Sequence, residues 1–248
     1  MDRLENLKNI IMYLMADEHV SHRIPSTLEE RQRMMRALMN VWEPRLIAED
    51  FLTMQDAELL MQREDKGVVE VHDEGLTIWQ GDITRLKVDA IVNAANAQAL
   101  GCWAPLHNCI DNCIHSAAGI QLRKECADKM QGRLLATGDA FITKGYNLPA
   151  KHVIHTVGPI IPDGIPTKEQ EEQLAQCYRS CLDLAEQNGL ESIAFCCIST
   201  GVFHFPNELA ARIAIETVKS YPRHALKTIV FNVFLDKDRD IYQQLLGA

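Results

Sequence analysis

DAIVNAANAQALGCWAPLHNCIDNCIHSAAG, residues 89–119, is the stretch whose reading decides the fold. Ala90–Asn93 is a short apolar, β-branched run, which reads as a buried strand. It ends in Asn93-Ala94-Ala95-Asn96, where small residues permit close backbone approach and the amides can fix a turn or reach a hydroxyl. From Cys109 to Ala118 the apolar residues fall at helical spacing. Ligands of open α/β sheets sit where strand ends meet helix starts, and this segment has that form. A second segment shares it. The run Ser192–Ile198 ends in Ser199-Thr200-Gly201, and Pro206 then suits the first turn of a helix. A glycine-containing turn before a helix presents N–H groups to a phosphate. The loops Val92–Gly101 and Ser199–Phe205 together predict a cradle for the diphosphate of a ribose-containing nucleotide. A dehydrogenase of the dinucleotide type is disfavoured, because G-x-G-x-x-G after the first strand is missing.

Outward from these loops, short apolar runs alternate with helical stretches. Strands are expected at Leu76–Gln80, Ala90–Asn93, Asp139–Thr143, His152–Val157, Ser192–Ile198 and Thr228–Phe234. Helices are expected at Cys109–Ala118, Ile120–Asp128, Thr167–Asn188, Asn207–Ser220 and Asp238–Leu246. This alternation predicts an α/β layered sheet. Residues 1–70 differ: Leu4, Leu7, Ile10, Ile11 and Leu14 have helical spacing, and Ser26–Glu29 fits a capping box that opens a helix through Val41. After Pro44, helix resumes from Ile47 to Arg63, and Asp65-Lys66-Gly67 marks a break. The expected organisation is a small helical N-terminal extension over residues 1–70, serving in packing or as a lid, followed by an α/β domain over 71–248.

The bulk properties exclude several classes. A net charge of −9 disfavours a broad electrostatic grip on nucleic acid. No run of about eighteen apolar residues exists, so no membrane span is expected. The N-terminus carries acidic residues and lacks a small-residue cleavage site, which predicts a cytoplasmic protein. Eight cysteines without a secretory signal do not imply disulfides. Cys126, Cys177, Cys181, Cys196 and Cys197 read as small core side chains.

Cys102, His107 and Cys109 stand apart. They form C-x4-H-x-C within eight residues, and two thiolates with an imidazole suit Zn2+. Three protein ligands leave a fourth position open, whereas Cys113 as a fourth would close the site. The plain alternative is a loop with two buried cysteines and a surface histidine.

Six motifs in order resemble the macrodomain family: GDIT (Gly81–Thr84), VDAIVNAAN (Val88–Asn96), IHSAAG (Ile114–Gly119), TGDAFIT (Thr137–Thr143), VIHTVGP (Val153–Pro159) and ISTGVF (Ile198–Phe203). The resemblance covers Leu76 to the C-terminus. It implies a three-layer α/β/α fold with a mixed sheet that binds ADP-ribose. By position, Asp82 and the adjacent Ile83 resemble the adenine-contacting residues, and Asn96 the asparagine at the distal ribose. Ser199, Thr200, Gly201, Val202 and Phe203 resemble the diphosphate loop, with Phe203 near the distal ribose. Asp111 aligns with the acid of the hydrolase branch. It also suits a helix N-terminus, where the dipole favours an acid.

Two departures stand out. The glycine run common after the N-A-A-N strand is replaced by Gly101–Cys109, and His204 stands where glycine is common. The insert and the helical extension look like the zinc-containing subclass of bacteria and fungi, often found alongside a sirtuin-type ADP-ribosyltransferase. That resemblance implies a zinc-dependent hydrolase of mono-ADP-ribosylated, Asp/Glu-linked protein, with a lipoyl-carrier protein as a possible target. Asn96 and Asp111 are then the catalytic candidates, and Cys102, His107 and Cys109 the metal ligands. A non-catalytic ADP-ribose reader and an O-acyl-ADP-ribose deacylase are the alternative readings. His115 and His155 are expected to be structural.

Overall fold

A computed structural model describes residues 2–247. Three helices come first: α1 (Arg3–Asp17), α2 (Leu28–Val41) and α3 (Glu49–Lys66). The cap of α2 is one residue later than the sequence suggests. Thr27, not Ser26, accepts the Glu30 N–H, and its hydroxyl donates to the Glu30 carboxylate at 2.7 Å. Asp65 and Lys66 belong to α3 rather than to a break, and the helix stops at Gly67, whose φ of +77° suits a residue without a Cβ.

The remainder runs β1 (Val69–Glu70), β2 (Gly75–Gln80), a 3-10 turn at Ile83–Arg85, β3 (Leu86–Lys87), β4 (Ala90–Ala94), α4 (Ile110–Ala118), α5 (Ile120–Met130), β5 (Ala140–Lys144), β6 (His152–Thr156), α6 (Lys168–Gln187), β7 (Ser192–Phe195), α7 (Asn207–Ser220), β8 (Thr228–Val233) and α8 (Asp236–Leu246). The six-stranded sheet has the order β2-β8-β7-β4-β6-β5. All neighbours are parallel except β5 with β6, so the sheet is mixed as expected. Helices α4 and α5 cover one face; α6, α7 and α8 cover the other. The short parallel pair β1–β3 has no counterpart in the sequence expectations, because two-residue strands leave no periodic signal.

Central strands buried on both faces explain the continuous apolar runs. All six residues of β8 are buried, as are Ala90 to Asn93 of β4. β7 ends at Phe195 rather than at Ile198. It pairs with β4 only through Ile193 and Ala194, while β4 and β6 stay paired over five positions. The sheet therefore opens between β4 and β7 at their C-terminal ends. The helices that follow these two strands lie on opposite faces, which makes this gap the switch point where α/β sheets hold ligands.

The N-terminal helices have a separate apolar cluster, built on Leu7, Ile10, Leu14, Met35, Trp42 and Phe51, with Ile120 of α5 reaching into it. Phe51 is fully buried and stacks on Tyr13 at 4.4 Å. Truncation there removes buried area and leaves a cavity. Phe51→Ala is expected to cost about 3–5 kcal/mol, read as a lower urea midpoint. An unchanged midpoint means the three helices do not contribute to the cooperative unit.

Candidate functional site

The turn after β4 is organised by Asn96. Its Oδ1 accepts from the N–H groups of Gln98 (3.0 Å) and Ala99 (3.2 Å), and its Nδ2 donates to the Gly101 carbonyl at 3.1 Å. The side chain thus holds the loop and stays half-buried at the crevice. Gly101 has φ +81°, and a Cβ there would lie 2.8 Å from the His115 ring. Only glycine meets both conditions.

Asp111 lies in the first turn of α4, and the cap position is Cys109, whose Sγ accepts from the Asn112 N–H. The helix begins at Ile110, one residue later than expected. Asp111 is 5% exposed. Asn93 donates to its Oδ1 at 2.7 Å, and Asn96 approaches its Oδ2 at 3.5 Å. Burial pushes the carboxyl up to about 6, with the Asn93 hydrogen bond and the Arg123 charge holding it back. A carboxylate so placed is suited to accept a proton near neutral pH.

Two histidines stand behind it. His155 is satisfied: Asn93 donates to its Nδ1 at 3.1 Å, which leaves its Nε2 to donate to Thr143 Oγ1 at 3.0 Å. Its ring stacks on Phe141, and burial lowers its pKa to about 3. This is the structural histidine the sequence suggested. His115 is different, because neither ring nitrogen has a hydrogen-bond partner and Nε2 lies 3.6 Å from Asp111 Oδ1. Burial and the neighbouring His155 lower its pKa, so it faces Asp111 as a neutral ring.

The insert brings its three predicted donors together. The ligand atoms of Cys102, His107 and Cys109 lie within 4.8 Å of one another, with Cys102 Sγ 3.5 Å from His107 Nδ1. Burial, with the adjacent Cys102 thiol, pushes the Cys109 thiol up to about 12. A cation between the donors reverses that cost, since bound thiols ionise. Two soft sulfurs and one imidazole fit zinc. Cys113 is not part of this group. It turns away to Arg36, 3.8 Å from its guanidinium, and lines a cavity between α2, α3 and α4. The donors of Cys102, His107 and Cys109 converge without it, so the closed four-ligand arrangement is not formed.

The loop is held from outside by residues with no motif. Arg36 of α2 donates to the His107 carbonyl at 2.7 Å and to Asn112 Oδ1 at 2.8 Å. Asn40 accepts the Leu106 N–H at 2.9 Å, which secures a leucine at φ +59°. Arg123 of α5 stacks on Trp103 at 4.1 Å and donates to the carbonyls of Asn40, Trp42 and Cys102. The N-terminal helices therefore build the insert's conformation.

Across the crevice, Ser199 (φ +64°) and His204 (φ +58°) both take left-handed backbone. The latter explains why a glycine is at home at position 204. The N–H groups of Gly201, Val202 and Phe203 have no acceptor among the described residues, and the Ser199 hydroxyl is buried without a partner. Gly158 packs so tightly here that a Cβ would lie 2.0 Å from Ser199 Oγ. Pro206 is the cap of α7 rather than its first residue. Free N–H donors before a helix N-terminus form an anion cradle, and Thr200 closes the turn through its hydroxyl bond to the Cys197 carbonyl.

At the other end, Asp82 accepts from the N–H and hydroxyl of Thr84, and Lys66 of α3 pairs with it at 3.3 Å. Burial pulls this carboxyl up, but the Thr84 bonds and the Lys66 charge outweigh it and hold the pKa below the ordinary value. Ile83 is buried beside it. Phe234 is a residue the sequence reading treats only as the end of a strand. It is 72% exposed, directly after the β8 residue that accepts the Gly81 N–H. An exposed aromatic ring at the end of β8 is a surface on which a flat base can stack.

A three-layer α/β/α fold with free backbone N–H donors at its switch point has the form of a nucleotide-binding protein. The chain belongs to the Macro domain family, which matches residues 92–214. It is 45% identical to "Protein-ADP-ribose hydrolase" of Staphylococcus aureus (strain MSSA476), over 98% of this chain and 97% of that protein. It is 47% identical to the protein of the same name from Treponema medium, over 96% and 97%. Among solved structures, the Trypanosoma brucei macrodomain in complex with ADP-ribose superposes with a TM-score of 0.65 at 29% identity, covering 90% of this chain and 97% of that one.

Proposed function

We propose that this protein hydrolyses the bond between ADP-ribose and an Asp or Glu side chain of a mono-ADP-ribosylated protein. The observation that carries the reading is the juxtaposition of Asp111, buried and hydrogen-bonded, with the three convergent donors of the insert. The names of the full-length relatives support the same activity.

The diphosphate rests on the N–H groups of residues 201–203 and on Ser199, with adenine at Asp82, Ile83 and Phe234. This remote binding supplies orientation at the reacting carbon. Asn96, fixed by its own turn, positions the distal ribose beside Phe203. Asp111 accepts a proton from the attacking water as the anomeric carbon–oxygen bond breaks and the acceptor carboxylate leaves with the electron pair. Cys102, His107 and Cys109 hold Zn2+, which supplies Lewis-acid polarisation and charge stabilisation when bound. The sirtuin-type transferase as the source of the modification, and a lipoyl-carrier protein as its bearer, rest on the family resemblance.

The direct test is release of free ADP-ribose from a protein mono-ADP-ribosylated on carboxylates. Tight ADP-ribose binding without release would favour the reader function instead. The cradle has its own test. Gly158→Ala is expected to displace Ser199 and weaken ADP-ribose binding at least tenfold by calorimetry, without loss of fold. Wild-type affinity would remove Ser199 from the diphosphate site.

A further inference from the structure

Beside the insert, and outside the crevice, lies an apolar groove of about 530 Å3. Met34, Ala37 and Leu38 of α2 form one side, and Pro105 and Leu106 close one end. Those last two residues belong to the loop that carries Cys102, His107 and Cys109, and Leu106 directly precedes His107. An occupant of the groove therefore touches the loop that carries the three convergent donors. Free ADP-ribose has no atoms to place there; the protein attached to its distal ribose does.

The rim decides the chemistry of that protein. His22, Arg23 and Arg33 are exposed around the groove. One acid, Glu30, also lines it and accepts the Thr27 hydroxyl, and the two arginines outnumber it. A cationic rim around an apolar floor runs against a chain whose net charge is −9. An acidic partner is repelled by most of this surface and attracted at this one place, which fixes orientation as well as affinity.

We propose that this groove docks the modified protein itself, through an acidic face with an apolar side chain at its centre. The inference rests on the reading that the chain acts on ADP-ribosylated protein, and names how that protein is held.

The experiment compares full-length wild type with Arg23→Glu/Arg33→Glu and with Met34→Glu. Dissociation constants are measured for free ADP-ribose and for an acidic protein mono-ADP-ribosylated on a glutamate. Wild type is expected to bind the protein-linked form at least tenfold more tightly than free ADP-ribose, with the advantage shrinking as salt rises. The arginine reversal is expected to abolish the advantage and leave free ADP-ribose affinity unchanged. Because Met34 also touches the N-terminal cluster, the arginine pair decides the outcome if Met34→Glu does not fold. Equal binding of the two ligands by wild type, or variants that keep the advantage, overturns the docking role. So does a wild-type dimer that the variants convert to monomer, since a second copy then fills the groove. Failure of the hydrolase reading looks different: the differential binding persists and no ADP-ribose is released.

Discussion

Asp111→Asn is expected to slow ADP-ribose release by about 10²–10⁴-fold, the usual contribution of a positioned general base, while affinity for free ADP-ribose stays within twofold. Asparagine keeps the volume and the oxygen that accepts from Asn93, so the Asn93–His155–Thr143 chain behind it survives. What it removes is the capacity to take up a proton. Burial already disfavours the ionised carboxylate, so a neutral side chain at this 5%-exposed position costs no stability and relieves desolvation. The variant should unfold at the wild-type urea concentration or above it. Single-turnover release from modified protein, with calorimetric ADP-ribose binding on the same sample, separates the effects. A wild-type rate with normal affinity takes Asp111 out of the chemistry; equal losses in rate and binding make it a ligand contact.

The parts legible in the sequence share one property: they are local. Asn96 acts on residues two to five positions away, Cys102, His107 and Cys109 fall within eight residues, and Ser199 to Phe203 form one turn. Continuous apolar runs placed the central strands because β4 and β8 are buried on both faces. The misreadings involve contacts distant in sequence or ladder ends. β7 stops at Phe195 because the sheet parts from β4 there, which no apolar run records. Arg36 and Asn40 reach the insert across 71 and 66 residues, and Arg123 reaches Asn40 across 83. A lone arginine on an amphipathic helix looks like surface charge, yet Arg123 is 3% exposed and burial lowers its pKa to about 10. The N-terminal helices read as packing because their bonds to the insert, from Arg36 to the His107 carbonyl and Asn112 and from the Leu106 N–H to Asn40, join distant positions and leave no local pattern.

Cys102→Ser/Cys109→Ser is expected to abolish metal binding and to reduce turnover at least 100-fold, leaving ADP-ribose affinity near wild type. Serine is close to cysteine in volume but a poor zinc ligand, so the change removes the soft donors and little else. The loop should keep its shape. Its carbonyls at Cys102, Ala104 and His107 and its N–H at Leu106 are bonded to Arg123, Asn112, Arg36 and Asn40, and none of these bonds involves a thiol. The diphosphate cradle lies on a different loop. Binding and turnover should therefore separate, as they would not if the insert merely collapsed. A charge-stabilising contribution of several kcal/mol corresponds to a loss of about two orders of magnitude or more. Stability gives a second readout, independent of activity: a metal at about a thousand times its dissociation constant stabilises the native state by about 4 kcal/mol. Added zinc should raise the melting temperature of chelator-treated wild type and leave the double variant unmoved. Metal content per chain, melting shift and release rate measured on one preparation decide the matter. A folded, zinc-free double variant that releases ADP-ribose at the wild-type rate ends the metal's role in the reaction. A double variant that retains zinc instead moves the site away from Cys102 and Cys109, with the buried group His115, Cys126 and His155 as the remaining convergent set among the described residues.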